Sequence, residues 1–220
     1  MRVVTGTSYI PPVGAVKVHF VDEHLAVVDK PSGLLSVPGR GDDKSDCLMS
    51  RLRQMYPDVL NVHRLDMETS GLMVVARHAD SQRALSWAFE QRRVSKVYEA
   101  VVAGALSQSV GTIDMPLISD WPNRPRQRVD EVNGKLATTS WQVLSAEETS
   151  SRVALRPTTG RSHQLRVHMD AIGHPILGDS LYGTSSSRAA APRLWLHATE
   201  LAFDHPHTAA RVHIISKAPF

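Results

Sequence analysis

The stretch VHRLDMETSGLMVVARHA, residues 62–79, changes character halfway along. Its second half, residues 71–76, is apolar at nearly every position, the pattern of a strand covered on both faces. Its first half sets Arg64 and Asp66 at the lip of that strand. Side chains alternate along an extended chain, so these two share a side while Leu65 takes the other. Two readings of the pair stand open. In the first, Asp66 caps the backbone of METSG and pairs with Arg64 at the surface, a common use of turn aspartates. In the second, the strand end presents a carboxylate to a cleft, kept ionised by a positive partner. A second arginine-bearing segment favours the latter, and TGRSHQLRVHM, residues 159–169, supplies one. There Arg161 precedes a short helix, and Arg166 lies on its polar side, opposite Leu165, Met169 and Ile172.

Around this stretch, apolar runs alternate with turn residues. Residues 25–28 form a strand that ends in DKPSGLLSVPGRGDD, whose prolines and glycines mark a long loop. Helical spacing over 46–56 puts Leu48, Leu52 and Met55 on one side, and 81–92 turns Leu85, Ala88 and Phe89 inward. Residues 94–103 read as a strand, and MPLISDWPNRPRQR, 115–128, as a second loop. Beyond it Ala137, Thr139, Trp141 and Val143 alternate with polar neighbours, and 152–156 alternates again. Residues 162–172 form a short helix stopped by Gly173, and 194–203 and 211–215 supply the last strands. Many strands, few helices and hairpin-like connections predict an α+β domain (mixed α/β) with a large mixed sheet. No repeat or long linker divides the chain, so residues 1–220 are expected to form a single domain. About two dozen residues ahead of the first core strand are too few for a separate N-terminal domain.

Composition narrows the function. Apolar residues make up 42% and charged residues 21%, as in ordinary globular proteins. No apolar run could span a bilayer, and prolines and a glycine interrupt the N-terminal MRVVTGTSYIPPVGAV where a signal peptide needs an unbroken apolar segment. The single cysteine, Cys47, excludes an internal disulfide and is expected as a half-buried thiol on a helix. A cytoplasmic protein without membrane attachment follows. The net charge of +3 does not by itself argue for nucleic acid, but of 25 basic residues only six are lysine, leaving 19 arginines. Arginine suits planar, bidentate contacts to phosphates and bases. The clusters Arg51/Arg53, Arg92/Arg93/Lys96 and Arg124/Arg126/Arg128 could each be a solvated face; together they raise a nucleic-acid reading. Eleven histidines invite a metal, yet His163 and His168 are five apart, not the four that stack ligands on a helix, and C-x-x-C is absent. No metal is expected. Phosphate-loop, dinucleotide and serine-hydrolase motifs are absent too.

At this point the residues resemble a known family. HRLDMETSGLMVVAR (63–77) resembles the H-R-L-D-x-x-T-S-G motif of the RluA-type pseudouridine synthases, and KVYEAVVAG (96–104), GRSHQLRVH (160–168) and HPILGDSLYG (174–183) resemble three further motifs of that family. VVDKPSGLLSVPG (27–39) is similar to its entry motif. Five segments in register cover nearly the whole chain. The resemblance implies a bent, mostly antiparallel sheet flanked by helices, with isomerisation of uridine to pseudouridine in RNA and no cofactor. The base is detached from C1′ and rejoined through C5.

The resemblance also assigns roles. Asp66 takes the catalytic position, as a nucleophile at C1′ or a base at C2′. Arg64 fills the place vacated when the uridine leaves the stack, Tyr98 packs on the flipped uracil and shuttles a proton, and Arg166 forms a salt bridge with Asp66. Leu165 walls the uracil pocket, and Arg161 joins the substrate-binding set. Many relatives carry an N-terminal S4 RNA-binding domain, which is not expected here. RNA selection then falls to SDWPNRPRQRV, through Trp121, Asn123, Arg124, Arg126 and Arg128. That segment resembles the dual-specificity branch of the family, which implies a tRNA anticodon loop and a 23S rRNA hairpin as substrates. A monomer is the default. Within the family, an enzyme specific for tRNA alone or for rRNA alone stays open, and two rivals stand outside it. One is a glycosidase or nuclease, which wants a pair of acids; Glu68, the nearest, is read as facing an unconstrained turn. The other is a non-catalytic RNA-binding protein.

Overall fold

In the computed structural model, residues 9–220 are described; the first eight residues of the N-terminal stretch considered above, and with them part of the signal-peptide question, lie outside these. Twelve strands run through the described chain: β1 (Lys17–Val21), β2 (Leu25–Lys30), β3 (Leu60–Asn61), β4 (Ser70–Ala76), β5 (Ser95–Ala103), β6 (Val110–Asp114), β7 (Leu117–Ser119), β8 (Gln127–Val129), β9 (Thr138–Ala146), β10 (Ser150–Pro157), β11 (Leu196–Asp204) and β12 (Arg211–Ile215). The helices are α1 (Leu48–Met55), α2 (Ala79–Glu90), α3 (Gln164–Ala171) and α4 (Ser185–Ala189). Ten strands form one sheet in the order β1-β2-β4-β11-β5-β10-β9-β6, with β12 beside β11 and β3 beside β4. Among the described residues only the β4–β11 pairing is parallel. The large, mixed, mostly antiparallel sheet expected from the sequence is present. Register shifts at His19 of β1, Leu144 of β9 and Thr199 of β11 mark bulges, which increase the local bend of a sheet.

β4 explains the central position of the opening stretch. All seven of its residues are buried, as its unbroken apolar run requires. Met73 and Val75 join Ala26 and Val28 of β2 under α1, while Leu72, Val74 and Ala76 join Leu25 and Val27 under α2. Gly71 sits where β4 and β11 approach: its φ is +113°, and a Cβ there would lie 2.5 Å from the backbone N and O of Ala198. A third apolar cluster, on β5, β10 and β11, packs against Leu165 and Met169 of α3. Tyr98 on β5 touches both this cluster and the one under α1, so the middle of the sheet is where the two cores meet.

Several expectations are corrected. The strand expected at residue 25 is present as β2, but a further strand that the sequence reading did not foresee, β1, precedes it. Cys47 is fully buried rather than half-buried; it is the N-cap of α1, its sulfur accepting from the Ser50 amide while the Ser50 hydroxyl accepts from the Cys47 amide. In α1 it is Met49, not Met55, that joins Leu48 and Leu52 inside; Met55 ends the helix and is 49% exposed. The segment 115–128 is no loop: β7 and β8 make a separate two-stranded hairpin, with a short 3-10 turn at Trp121–Asn123. Arg166 is not on a polar helix face. The first six residues of α3 are all buried, arginine included. No helix among the described residues is long and apolar enough to cross a membrane.

Candidate active site

Asp66 lies in the extended loop between β3 and β4. Leu65 is buried under α1, Arg64 is exposed and Asp66 is half-buried, the alternation of an extended chain. The segment following β2 clamps this loop. The Ser36 hydroxyl donates to the Leu65 carbonyl at 2.6 Å and accepts from the Leu65 amide at 3.1 Å. The Gly33 amide donates to the Met67 carbonyl at 2.8 Å, and the Ser32 hydroxyl to that of Glu68 at 2.6 Å. Lys30 is wholly buried beneath the loop, and its Nζ donates to the carbonyls of Pro31, Leu34 and Met67 at 3.0, 2.8 and 3.0 Å. Three acceptors match the three N–H bonds of an ammonium. Burial pulls Lys30 down to about 7, against the charges of Asp66 and Asp29 that hold it up. His63 accepts from the Val74 amide at 3.1 Å and stacks on Phe89 at 4.4 Å; burial draws it down to about 3, so it is neutral.

The surface-turn reading of Arg64 and Asp66 does not describe what is seen. The Asp66 carbonyl does accept from the Thr69 amide, at 3.2 Å. Among the described residues, however, the carboxylate caps no backbone amide and Arg64 makes no ion pair with it. Arg166 faces the carboxylate instead, and its guanidinium is shared among three acids. Nε and Nη2 donate to the two oxygens of Asp179 at 2.8 and 2.7 Å, and Nη2 also donates to Glu68 at 2.8 Å. Nη1 has neither of these partners and lies 3.7 Å from Asp66 Oδ2. The expected salt bridge is therefore a loose approach; the tight bidentate pair is Arg166–Asp179. Glu68 is correspondingly no free turn residue but a partner of Arg166. Asp179 is wholly buried, which alone would raise its pKa; Arg166 and the amides of Tyr182 and Leu181 overcome that and hold it below the ordinary carboxylate value. Burial likewise opposes the charge of Arg166, but Asp179, Asp66 and Glu68 hold it above its usual value.

Asp66 has a second neighbour. His163 Nε2 stands 3.9 Å from Oδ1, and its Nδ1 is 2.7 Å from the Tyr182 hydroxyl. Tyr182 also accepts from the Gln127 amide of β8 at 2.7 Å, and the guanidinium groups of Arg126 and Arg166 lie 5.2 and 5.4 Å from the centre of its ring. His168, five residues on, faces Thr139 and the Met115 carbonyl and shares nothing with His163. Tyr98 has no hydrogen-bond partner for its hydroxyl among the described residues; burial, reinforced by the charge of Asp66, raises its pKa and keeps it protonated. Leu165 is 7% exposed and belongs to the core cluster that touches Tyr98.

The β7–β8 hairpin faces this group across a cleft of about 430 Å³ lined by Arg64, Ser119, Arg124, Pro125, Arg126, Gln127, Ser162 and His163. The structure thus brings Arg64, Arg124 and Arg126 together. Trp121 stands at the hairpin tip, 67% exposed, with the Arg124 guanidinium 3.8 Å over its ring. Asn123 bonds Asp120 within its own turn. Of the expected site residues, Arg64, Arg124 and Arg126 line this cleft, and Asp66, Tyr98, Leu165, Arg166, Trp121 and Asn123 do not. Arg128, which pairs with Asp130 at 2.8 Å, and Arg161, which donates to the Leu136 carbonyl at 3.0 Å, also lie outside the lining. Reasoning from the sequence left Lys30, Glu68, His163, Asp179 and Tyr182 without a role. All five stand inside the quoted motifs, which is the signal that could have found them.

Comparison with known proteins agrees with this geometry. The RNA pseudouridylate synthase family profile matches residues 24–171, two thirds of the chain. The chain is 50% identical over 202 residues to a protein of Yersinia pestis named dual-specificity RNA pseudouridine synthase RluA, covering 91% of this chain and 98% of that one. It is 52% identical over 188 residues to the protein of that name from Escherichia coli strain K12, covering 85% and 86%. Among solved structures, human RNA pseudouridylate synthase domain containing 1 superimposes with a TM-score of 0.78 at 31% identity, covering 96% of this chain and 87% of its own. The residues around Asp66, the sheet that carries them and these relatives agree: the chain belongs to the RNA pseudouridylate synthase family.

Proposed function

We propose that this chain isomerises uridines to pseudouridine in tRNA and in 23S rRNA, with Asp66 as the catalytic carboxylate. The observation that carries the reading is the state of Asp66: it faces a cationic Nη1 at 3.7 Å and an imidazole at 3.9 Å, without a tight partner. Such a carboxylate keeps its lone pairs for substrate. Glu68 and Asp179 are both tied to Arg166. Among the described residues that leaves no second unpaired acid beside Asp66 for paired-acid glycoside hydrolysis.

The other roles follow from position. Arg64, exposed beside Asp66, enters the stack when the uridine flips, a step that costs a few kcal/mol. Tyr98 packs on the uracil and moves a proton; Leu165 gives the pocket an apolar wall. Arg124, Arg126, Trp121 and Asn123 engage the RNA loop through phosphate contacts and stacking, with Arg128 and Arg161 at its margins. The two relatives named dual-specificity support a dual substrate. A single catalytic domain over 1–220 is supported by one sheet that takes strands from both ends of the described chain. The reading takes the protein to act as a monomer without a protein partner. A cytoplasmic location fits a buried, unpaired cysteine.

The test uses RNA tritiated at uracil C5, which exchanges to solvent only when the base is rejoined through that carbon. A tRNA anticodon stem-loop and a 23S rRNA hairpin are offered separately. Release from both is expected. Release from one narrows the substrate, and no release from either or from total unmodified RNA leaves an RNA-binding protein.

A further inference from the structure

The hydrogen-bond chain from the hairpin to Asp66 has a direction that chemistry dictates. A backbone amide can only donate, so at the Tyr182 hydroxyl the Gln127 N–H occupies a lone pair. The hydroxyl proton is left with His163 Nδ1, 2.7 Å away, as its acceptor. Nδ1 is then bare, and a neutral imidazole must carry its proton on Nε2, the atom 3.9 Å from Asp66 Oδ1. His163 is also held in an unusual backbone state. It is the N-cap residue of α3, in the left-handed region with φ 56° and ψ 16°, and its side chain makes no capping bond to the helix. Left-handed backbone costs a non-glycine residue about 1 kcal/mol. Here it goes with a ring aimed at Asp66 rather than at the helix end.

We propose that Tyr182 and His163 form a relay that fixes the imidazole as its Nε2–H tautomer and orients Asp66 Oδ1, coupling the β7–β8 hairpin to the catalytic carboxylate. Arg166 Nη1 faces one oxygen at 3.7 Å and His163 Nε2 faces the other at 3.9 Å. RNA seated against the hairpin steadies Gln127, hence Tyr182, hence the imidazole. His163 is a positioning residue, as it acts through Asp66. The proposal rests on the reading of Asp66 given above and names a regulation of that same site.

Two measurements test it. Histidine side-chain ¹⁵N NMR on the whole protein reads the tautomer, with the His163 signal identified by its loss in His163→Asn. The wild type should show Nε2–H, and Tyr182→Phe a mixture of tautomers. The second is steady-state tritium release from the anticodon stem-loop. His163→Asn keeps an acceptor near Tyr182 and tolerates left-handed backbone, yet cannot reach Asp66. Both variants should lower kcat at least about tenfold with KM within about threefold, since misplacing a reacting group acts on turnover. An Nδ1–H tautomer in the wild type, or kcat within about twofold of wild type in either variant, would overturn the relay. Asp66→Asn separates the failures: if it still releases tritium, the reading of Asp66 is wrong; if it does not while the relay variants are unaffected, only the relay is wrong.

Discussion

The two ends of the Arg166 guanidinium live in different worlds. On one side Asp179 is wholly buried, bonded at 2.7 and 2.8 Å and anchored by two backbone amides. On the other, Asp66 is half-buried, 3.7 Å off, and bonded by its carboxylate to nothing at hydrogen-bond distance among the described residues. The difference divides labour. One acid holds the cation, so the other need not, and a group free of tight partners meets substrate without first breaking a bond. The same contrast recurs in the backbone: the loop of Asp66 is fastened from beneath by Lys30 and Ser36, while the hairpin opposite ends in an exposed Trp121.

The comparison can be broken from its fixed side first. Asp179→Ala leaves Arg166 buried without its main partner and should cost about 3–5 kcal/mol, seen as a lower urea midpoint with unchanged slope. A loss below ~1 kcal/mol would place Asp179 outside the scaffold. Lys30→Met strands three carbonyls and should cost about 3 kcal/mol, the same unfolding curve serving as the check. Acid provides a milder probe. Because the folded-state pKa of Asp179 is depressed, its contribution is complete above the ordinary carboxylate value and is lost as pH falls through the lowered one. Stability of the wild type should therefore fall below about pH 4, and Asp179→Asn should flatten that fall. The loose side responds in binding. Arg124→Ala with Arg126→Ala should raise KM for RNA roughly tenfold, with a shallower salt dependence. Arg128→Ala, off the cleft and paired with Asp130, should change KM by less than about twofold, as is usual for surface ion pairs.

How much of this the sequence carried depends on where each signal was local. β4 was legible because burial on both faces leaves an unbroken apolar run, and β9 because its alternation is regular. β6 was not: Gly111 interrupts it, and the reason, a Trp141 ring occupying the space where a Cβ would be, lies on another strand. The β7–β8 hairpin hid behind Pro116, Pro122 and Pro125, which read as loop when each strand is only three residues long. Met55 followed the helical period but fell on the last turn. In the site, the pairing of an arginine with an acid was expected, but which acid comes closest is set by the approach of α3 to the segment after Ile176, a tertiary fact. Glu68 and Tyr182 were invisible for the same reason.

The most direct test of the division between holding and reacting acids is Asp66→Asn, measured by single-turnover tritium release and by RNA affinity on the same preparation. The account predicts release lowered by more than about 1,000-fold with affinity within about threefold of wild type. Release within about tenfold of wild type would contradict it, and would return Asp66 to the part of a turn residue.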